Sequence, residues 1–210
     1  MPERVQFFFD PICPWAWITS RWIVELTSQK VVDPTWSFIS LTLVNEGKDY
    51  ETEFPVGYTS IHGLGHRLLR VAAATREQFG NEAVGRFYTA AGEAIHNEGR
   101  RSDYLDGGSI DDILAKAGLP DSLAAALDDE VYDKVIRMET DLALSRTGKD
   151  VGTPIITLLD RQDSSFFGPV MSSIPKGEDA RRLFDAYLTF TAFGDFCEIK
   201  RAIRSAPVFN

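Results

Sequence analysis

Hydrophobic residues follow two periods along this chain, and the switches between them mark its elements. Val5–Phe9 is a short, nearly continuous apolar run and predicts a buried strand. From Pro14 the spacing becomes helical and persists to about residue 29, with proline suited to the first turn. Trp36–Val44, rich in β-branched and aromatic residues, predicts a second strand. A strand, a helix and a strand of these lengths make a parallel pair with a right-handed crossover. Between about residues 58 and 148 the spacing is helical again. It predicts helices over 66–79 (apolar at Leu68, Leu69, Ala72, Ala73 and Phe79) and 82–96 (Val84, Phe87, Tyr88, Ala91 and Ile95). Ser109 and Asp112 have capping-box form for a further helix that Gly118 and Pro120 close. Another, after Asp128-Asp129, is expected to bury Val131, Val135, Met138 and Leu142 and to stop at Gly148. Strand signals return at Pro154–Leu159, turn through Asp160–Ser164 and repeat at Ser165–Val170, as a hairpin does. A last helix from Glu178 to Arg204 aligns Leu183, Phe184, Tyr187, Phe190 and Phe193 on one face. The outer pieces read β-α-β and β-β-α, with helices inserted between them.

Composition narrows the picture without changing it. The chain has 210 residues, 44% of them apolar, which suits one domain or one domain with a large insertion. A net charge of −9 makes nucleic acid and anionic membrane poor partners. No run of membrane-spanning length and no basic-then-apolar start is present, so a cytoplasmic location is expected. Two cysteines, Cys13 and Cys197, do not make a disulfide framework, which agrees with a reducing compartment.

The chemistry concentrates where the first strand meets the first helix. In Phe9-Asp10-Pro11-Ile12-Cys13-Pro14-Trp15-Ala16, the cysteine opens the helix. A sulfur there meets orphan N–H groups and the positive end of the helix dipole, so Cys13 is expected to titrate well below a free thiol. Cys197, between Phe196 and Glu198, is expected to pack in the final helix. His62 and His66 are four residues apart, but Gly63 and Gly65 weaken a shared helix face and no third ligand is suitably spaced, so no metal site is expected. Gly107-Gly108-Ser109 reads as a helix cap and not as a phosphate loop.

The element order is that of an α/β thioredoxin fold carrying a large all-helical insertion, with 1–57 and 149–210 as the thioredoxin-like domain and 58–148 as the insertion. The Cys13-Pro14-Trp15 motif after a strand and Gly152-Thr153-Pro154 opening the hairpin resemble the DsbA-like thioredoxin superfamily. Kappa-class glutathione transferases and hydroxychromene-carboxylate isomerases also belong to it. Further stretches resemble its mycothiol-dependent nitroreductase/reductase group: Trp17-Ile18-Thr19-Ser20-Arg21-Trp22, Ile95-His96-Asn97, Asp150-Val151-Gly152-Thr153-Pro154 and Phe166-Phe167-Gly168-Pro169-Val170. The chain departs from that group at Ala16, where members described as nitroreductases carry the second cysteine of Cys-Pro-Trp-Cys.

The resemblance implies a thiol–disulfide oxidoreductase acting through the single nucleophile Cys13. Mycothiol is the implied co-substrate and no cofactor is tightly bound. Pro14, Trp15, His96, Thr153 and Pro154 are the implied substrate-binding residues, with Pro154 cis and facing the sulfur, and Asn45 joins them by its place just past the second strand, near the sheet's active-site edge. Trp17 and Trp22 are expected in the core. The partners are then a low-molecular-weight thiol and a disulfide or electrophilic small molecule, with a homodimer possible. Two alternatives keep the fold: a thiol-dependent transferase or isomerase in which a bound thiol does the chemistry, and a non-catalytic binding protein.

Overall fold

Phe7, Phe8 and Phe9 close the first strand, β1 (Glu3–Phe9), and all three are fully buried, because both faces of this strand are covered. The computed structural model describes residues 1–161, 164–201 and 205–210. α1 (Pro14–Ser28) carries the chain to β2 (Val32–Phe38), which runs parallel to β1 with Phe38 opposite Phe9. β3 (Ile155–Leu158) pairs antiparallel with β1, and β4 (Ser165–Phe167) antiparallel with β3. Among the described residues the sheet order is β2-β1-β3-β4, the thioredoxin arrangement read from the sequence.

Between β2 and β3 the chain is helical: α2 (Leu41–Val44), α3 (Tyr50–Glu53), α4 (Tyr58–Phe79), α5 (Asn81–Gly92), a π-helical turn (Glu93–Asn97), a 3-10 segment (Arg100–Gly107), α6 (Asp111–Ala117), further 3-10 turns and α7 (Asp133–Thr147). α8 (Gly177–Thr191) then packs on α1, where the buried Trp22 indole N–H donates to Ala180 O at 2.9 Å.

The insertion and the sheet share one hydrophobic core. Phe9 stacks on Tyr88 of α5 with ring centroids 3.9 Å apart, and Trp17 and Trp36 meet the same tyrosine edge-on. Gly85 and Gly92, two turns apart on α5, allow this approach. A Cβ on Gly85 would stand 2.6 Å from Trp36 Nε1, and one on Gly92 would collide with the Trp17 ring.

The outer edge of β2 is closed by side chains of the insertion. Asn81 Oδ1 accepts from Trp36 N at 2.8 Å, and Asn81 Nδ2 donates to Trp36 O at 2.7 Å. Glu139 Oε2 accepts from Phe38 N at 2.8 Å and Thr140 Oγ1 from Ser40 N at 3.1 Å. Pro34, the earlier position of the same parity, has no N–H to satisfy.

Several sequence expectations are corrected. Residues 39–44 do not continue the second strand: the ladder ends with Ile39 N donating to Phe9 O, and Ser40 is the N-cap of α2, whose first N–H, on Leu41, is taken by Asp10 Oδ2. In α7 the buried positions are Ile136, Thr140 and Ala143, while Val131, Met138 and Leu142 are exposed. The polar pair Glu139 and Thr140 serves the β2 edge, so the helix turns a partly polar face inward, and apolar spacing alone points the wrong way. Helix 82–96 leaves α geometry at Glu93. Ser109 Oγ accepts from Asp111 N, but Asp112 pairs with Arg100 and Tyr104, so the capping box is only half formed. The last helix stops at Thr191, with Gly194 shortly beyond; Phe190, Phe193 and Cys197 are exposed and not packed in a helical core. The tip of the expected hairpin turn, residues 162–163, and residues 202–204 of the expected last helix lie outside the described residues.

Candidate functional site

The chain leaves β1 through a turn that Asp10 organises. Its backbone carbonyl accepts from Cys13 N at 3.1 Å, and its Oδ1 accepts from Ile12 N at 3.0 Å, the Asx-turn geometry that an Asp before proline favours. Cys13 then becomes the N-cap of α1 with φ −79° and ψ 114°. The cap group is the sulfur itself: Ala16 N donates to Cys13 Sγ at 3.5 Å, and Pro14 occupies the first turn without wasting a donor.

Facing the sulfur is the loop that opens β3. The Thr153–Pro154 peptide is cis, and the Cys13 thiol donates to Thr153 O at 3.5 Å. Thr153 is itself fixed, its hydroxyl donating to Phe8 O at 2.8 Å. Thr19 Oγ1 donates to Pro169 O, tying α1 to a second loop from the hairpin.

The electrostatics overturn the expectation of an acidic thiol. Cys13 is only 5% exposed, and burial pushes the thiol up to about 12. The Ala16 N–H pulls the other way, the nearby Asp10 carboxylate adds to the rise, and the Trp15 N–H opposes it. A helix N-terminus stabilises a thiolate by a few tenths to about 2 kcal/mol, whereas removing the charge from water costs several. Desolvation therefore wins in this closed arrangement. Asp10 is fully buried, and burial raises its carboxyl to about 7 against the N–H groups of Leu41 and Ile12. Gly65 of α4 lies directly over it; a Cβ there would meet Asp10 Oδ1.

The π-helical turn meets the same segment at Pro11 and Trp17. His96 Nε2–H donates to Pro11 O at 2.9 Å, and its ring stacks on Trp17 with centroids 5.9 Å apart. Burial lowers its pKa to about 4, so the imidazole is neutral at pH 7. Asn97 Oδ1 accepts from the Trp17 indole N–H at 2.9 Å. Arg21 also lies over Trp17, its guanidinium carbon 4.0 Å from the ring centroid.

Cys13, Thr153, Pro154 and His96 thus come together around one loop, with Pro14 and Trp15 partly buried beside it. Asn45 does not join them through its side chain: its amide caps α2, donating to Leu41 O, and its oxygen accepts from Lys48 Nζ. Trp17 and Trp22 are core residues. His62 and His66 serve different partners, Tyr50 for the first, Ser40 and Asp133 for the second. The structure adds Asp10 and Asn97 to the residues expected from the sequence. An aspartate between a strand and a proline, three residues before the cysteine, was the available signal for Asp10. Asn97 stands in the Ile95-His96-Asn97 stretch that carries the resemblance, but its partner lies 80 residues away and no local pattern gives its role.

Comparison with known proteins places this geometry. A family model described as Rv2466c-like, mycothiol-dependent nitroreductase Rv2466c, matches residues 12–201. The uncharacterised protein Rv2286c of Mycobacterium tuberculosis is 30% identical over 207 residues, 97% of this chain and 84% of that protein. Among solved structures, the cytosolic disulfide reductase DsbM of Pseudomonas aeruginosa superposes with a TM-score of 0.57 at 18% identity, covering 89% of this chain and 98% of that one. A probable DsbA oxidoreductase, SCO1869 of Streptomyces coelicolor, gives 0.56 at 16% identity over 95% and 93% of the two chains. A 2-hydroxychromene-2-carboxylate isomerase gives 0.59 at 16% identity over 89% and 93%. At these identities the structural matches speak for the fold.

Proposed function

Because the chain belongs to the Rv2466c-like family, we propose that it is a cytoplasmic thiol–disulfide oxidoreductase that works through Cys13 alone and uses mycothiol as co-substrate. The observation that carries this reading is the Cys13 sulfur standing at the N-cap of α1, 3.5 Å from both Ala16 N and Thr153 O. A thiolate formed there attacks one sulfur of a disulfide, makes a new S–S bond to Cys13 and expels the other sulfur as a thiolate. The Ala16 N–H and the dipole of α1 favour the anionic sulfur in that step. Position 16 holds no thiol, so release requires a second thiolate from solution, which attacks the mixed disulfide and returns Cys13 as the leaving thiolate. The disulfide of the low-molecular-weight thiol is therefore the source of the adduct, and its reduced form is the remover.

Incubation with oxidised mycothiol followed by intact mass spectrometry tests this. With the exposed Cys197 changed to Ser, the expected result is one mycothiol adduct, mapped to Cys13, lost on adding free thiol and absent when Cys13→Ala is added. No adduct at Cys13 in the native protein sinks the reading.

Burial of Cys13 favours one alternative, a transferase or isomerase in which a bound thiol, and not Cys13, supplies the sulfur. In that case Cys13→Ala retains mycothiol binding, measured by calorimetry, and the native protein forms no adduct.

A further inference from the structure

Cys13, the residue meant to react with an incoming molecule, is 5% exposed, so some part of its surroundings has to yield. Most parts are poor candidates. Asp10 is fully buried, Thr153 is 4% exposed, and Pro154 is buried. One segment beside them, joined to the Cys13 loop through His96 and Asn97, is different. Residues 205–210 run in from the C-terminal segment and reach the π-helical turn, and Ser205, Ala206, Val208 and Asn210 are all exposed.

We propose that residues 205–210 are an intramolecular strap along the flank of the Cys13 site, seated in a groove that accepts an extended, amide-bearing chain, and that a substrate displaces it to reach the sulfur. The proposal rests on Cys13 being the reacting group.

The seat is built from backbone-type hydrogen bonds and one ring. Val208 N donates to Ser172 O at 2.7 Å, and Ser172 Oγ donates to Ser205 O at 3.1 Å. Asn97 Nδ2 donates to Phe209 O at 2.6 Å. The Phe209 ring lies 5.6 Å from that of His96, between centroids, and packs on the main core. Asn210 reaches a cavity of about 260 Å³ walled by Arg21, Glu25 and Lys176 among others.

His96 and Asn97 are consecutive, and each is shared between the strap and the cysteine-bearing segment. His96 holds Pro11 O with one nitrogen and meets Phe209 with its ring. Asn97 holds the Trp17 indole with its oxygen and Phe209 O with its nitrogen. The π geometry of Glu93–Asn97 puts these two neighbours to work in this way, and such turns recur at functional sites. The strap is thus coupled to the Cys13 loop through two side chains, while its own hold is a few solvent-facing hydrogen bonds and one half-buried ring. Segments held in this way open locally at a small fraction of the cost of global unfolding. A peptide-like ligand offering the same carbonyl to Asn97 and the same N–H to Ser172 replaces those bonds one for one.

The test is alkylation of Cys13 by iodoacetamide in the full chain with the exposed Cys197 changed to Ser, mapped by mass spectrometry. Two variants are compared with it: Phe209→Asp, and a chain ending at residue 204. Both are expected to react at least about tenfold faster, since local opening no longer limits access. The synthetic peptide Ser-Ala-Pro-Val-Phe-Asn, added to the shortened chain, is expected to restore slow alkylation, and the same peptide with Asp for Phe is not. A tail that only adds stability would lower the melting temperature without this peptide reversal. In the intact protein, a mycothiol adduct on Cys13 is expected to speed amide exchange at Val208. Rates within about twofold of the parent in both variants overturn the strap, as does rapid alkylation that the peptide leaves unchanged. Because alkylation needs no turnover, these outcomes are separate from adduct formation with oxidised mycothiol, which tests the oxidoreductase reading by itself.

Discussion

Two opposing effects meet at the Cys13 sulfur, the N–H groups of α1 that favour a thiolate and the dry surroundings that oppose it. The strand-to-helix junction made the first legible in the sequence; the second depends on Thr153, Pro154 and the insertion, which no local pattern brings together. Asp10 carries the same tension in measurable form. Its folded carboxyl stands at about 7, above the ordinary 3.8, so the folded state holds this proton more tightly than the unfolded chain. The associated stability is fully present below about pH 4 and is lost as pH rises towards 7. Asp10→Asn, neutral throughout, lacks that loss. Its stability relative to the native protein is expected to improve by on the order of 2 kcal/mol between pH 5 and pH 7.5, read from urea midpoints at the two pH values. A relative stability that does not change with pH would mean that Asp10 is already ionised in the folded protein at pH 5.

At the scale of elements, the helices that read clearly from spacing are those whose buried face is mainly apolar. α4 and α5 bury Leu68, Leu69, Ala72, Val84, Phe87 and Tyr88, as expected from the sequence. α7 misled because Glu139 and Thr140 face inward to serve backbone N–H groups, and hydrophobicity does not register that duty. β2 ends before its apolar run does for the same reason: Ser40 and Leu41 hand their N–H groups to Thr140 and Asp10, and the strand stops. These side-chain-to-backbone bonds differ greatly in worth from the surface ion pairs. Asn81→Ala leaves both polar groups of Trp36 without their partner and is expected to cost about 2–3 kcal/mol. Arg137→Ala removes an exposed pair with Glu46 and is expected to cost less than about 1 kcal/mol. Chemical denaturation of the two variants measures the contrast, and equal losses would show that the β2 edge is not where the insertion is anchored.

For the whole molecule, the continuity of the core matters more than the boundary drawn at residues 58 and 148. Phe9, Trp17, Trp36 and Tyr88 belong to sheet, α1 and insertion yet form one aromatic cluster. The chain is therefore expected to unfold as a unit. Its four tryptophans, Trp15, Trp17, Trp22 and Trp36, all lie in the first 36 residues, whereas much of the helix lies in the insertion. Tryptophan fluorescence and far-UV circular dichroism thus report on different halves, and their urea transitions should coincide. A separate earlier transition by dichroism would make the insertion an independent unit. The insertion also settles how the sheet meets other molecules. A bare strand edge is a template on which a second chain adds, and proteins avoid aggregation by shortening, covering or interrupting such edges. Here Pro34 has no N–H, and Asn81, Glu139 and Thr140 take the outward N–H groups of Trp36, Phe38 and Ser40, while the opposite edge, β4, is only three residues long. Sheet joining along Trp36–Ser40 would first have to displace these side chains, so the helices that shape the Cys13 site also guard this strand against a second chain.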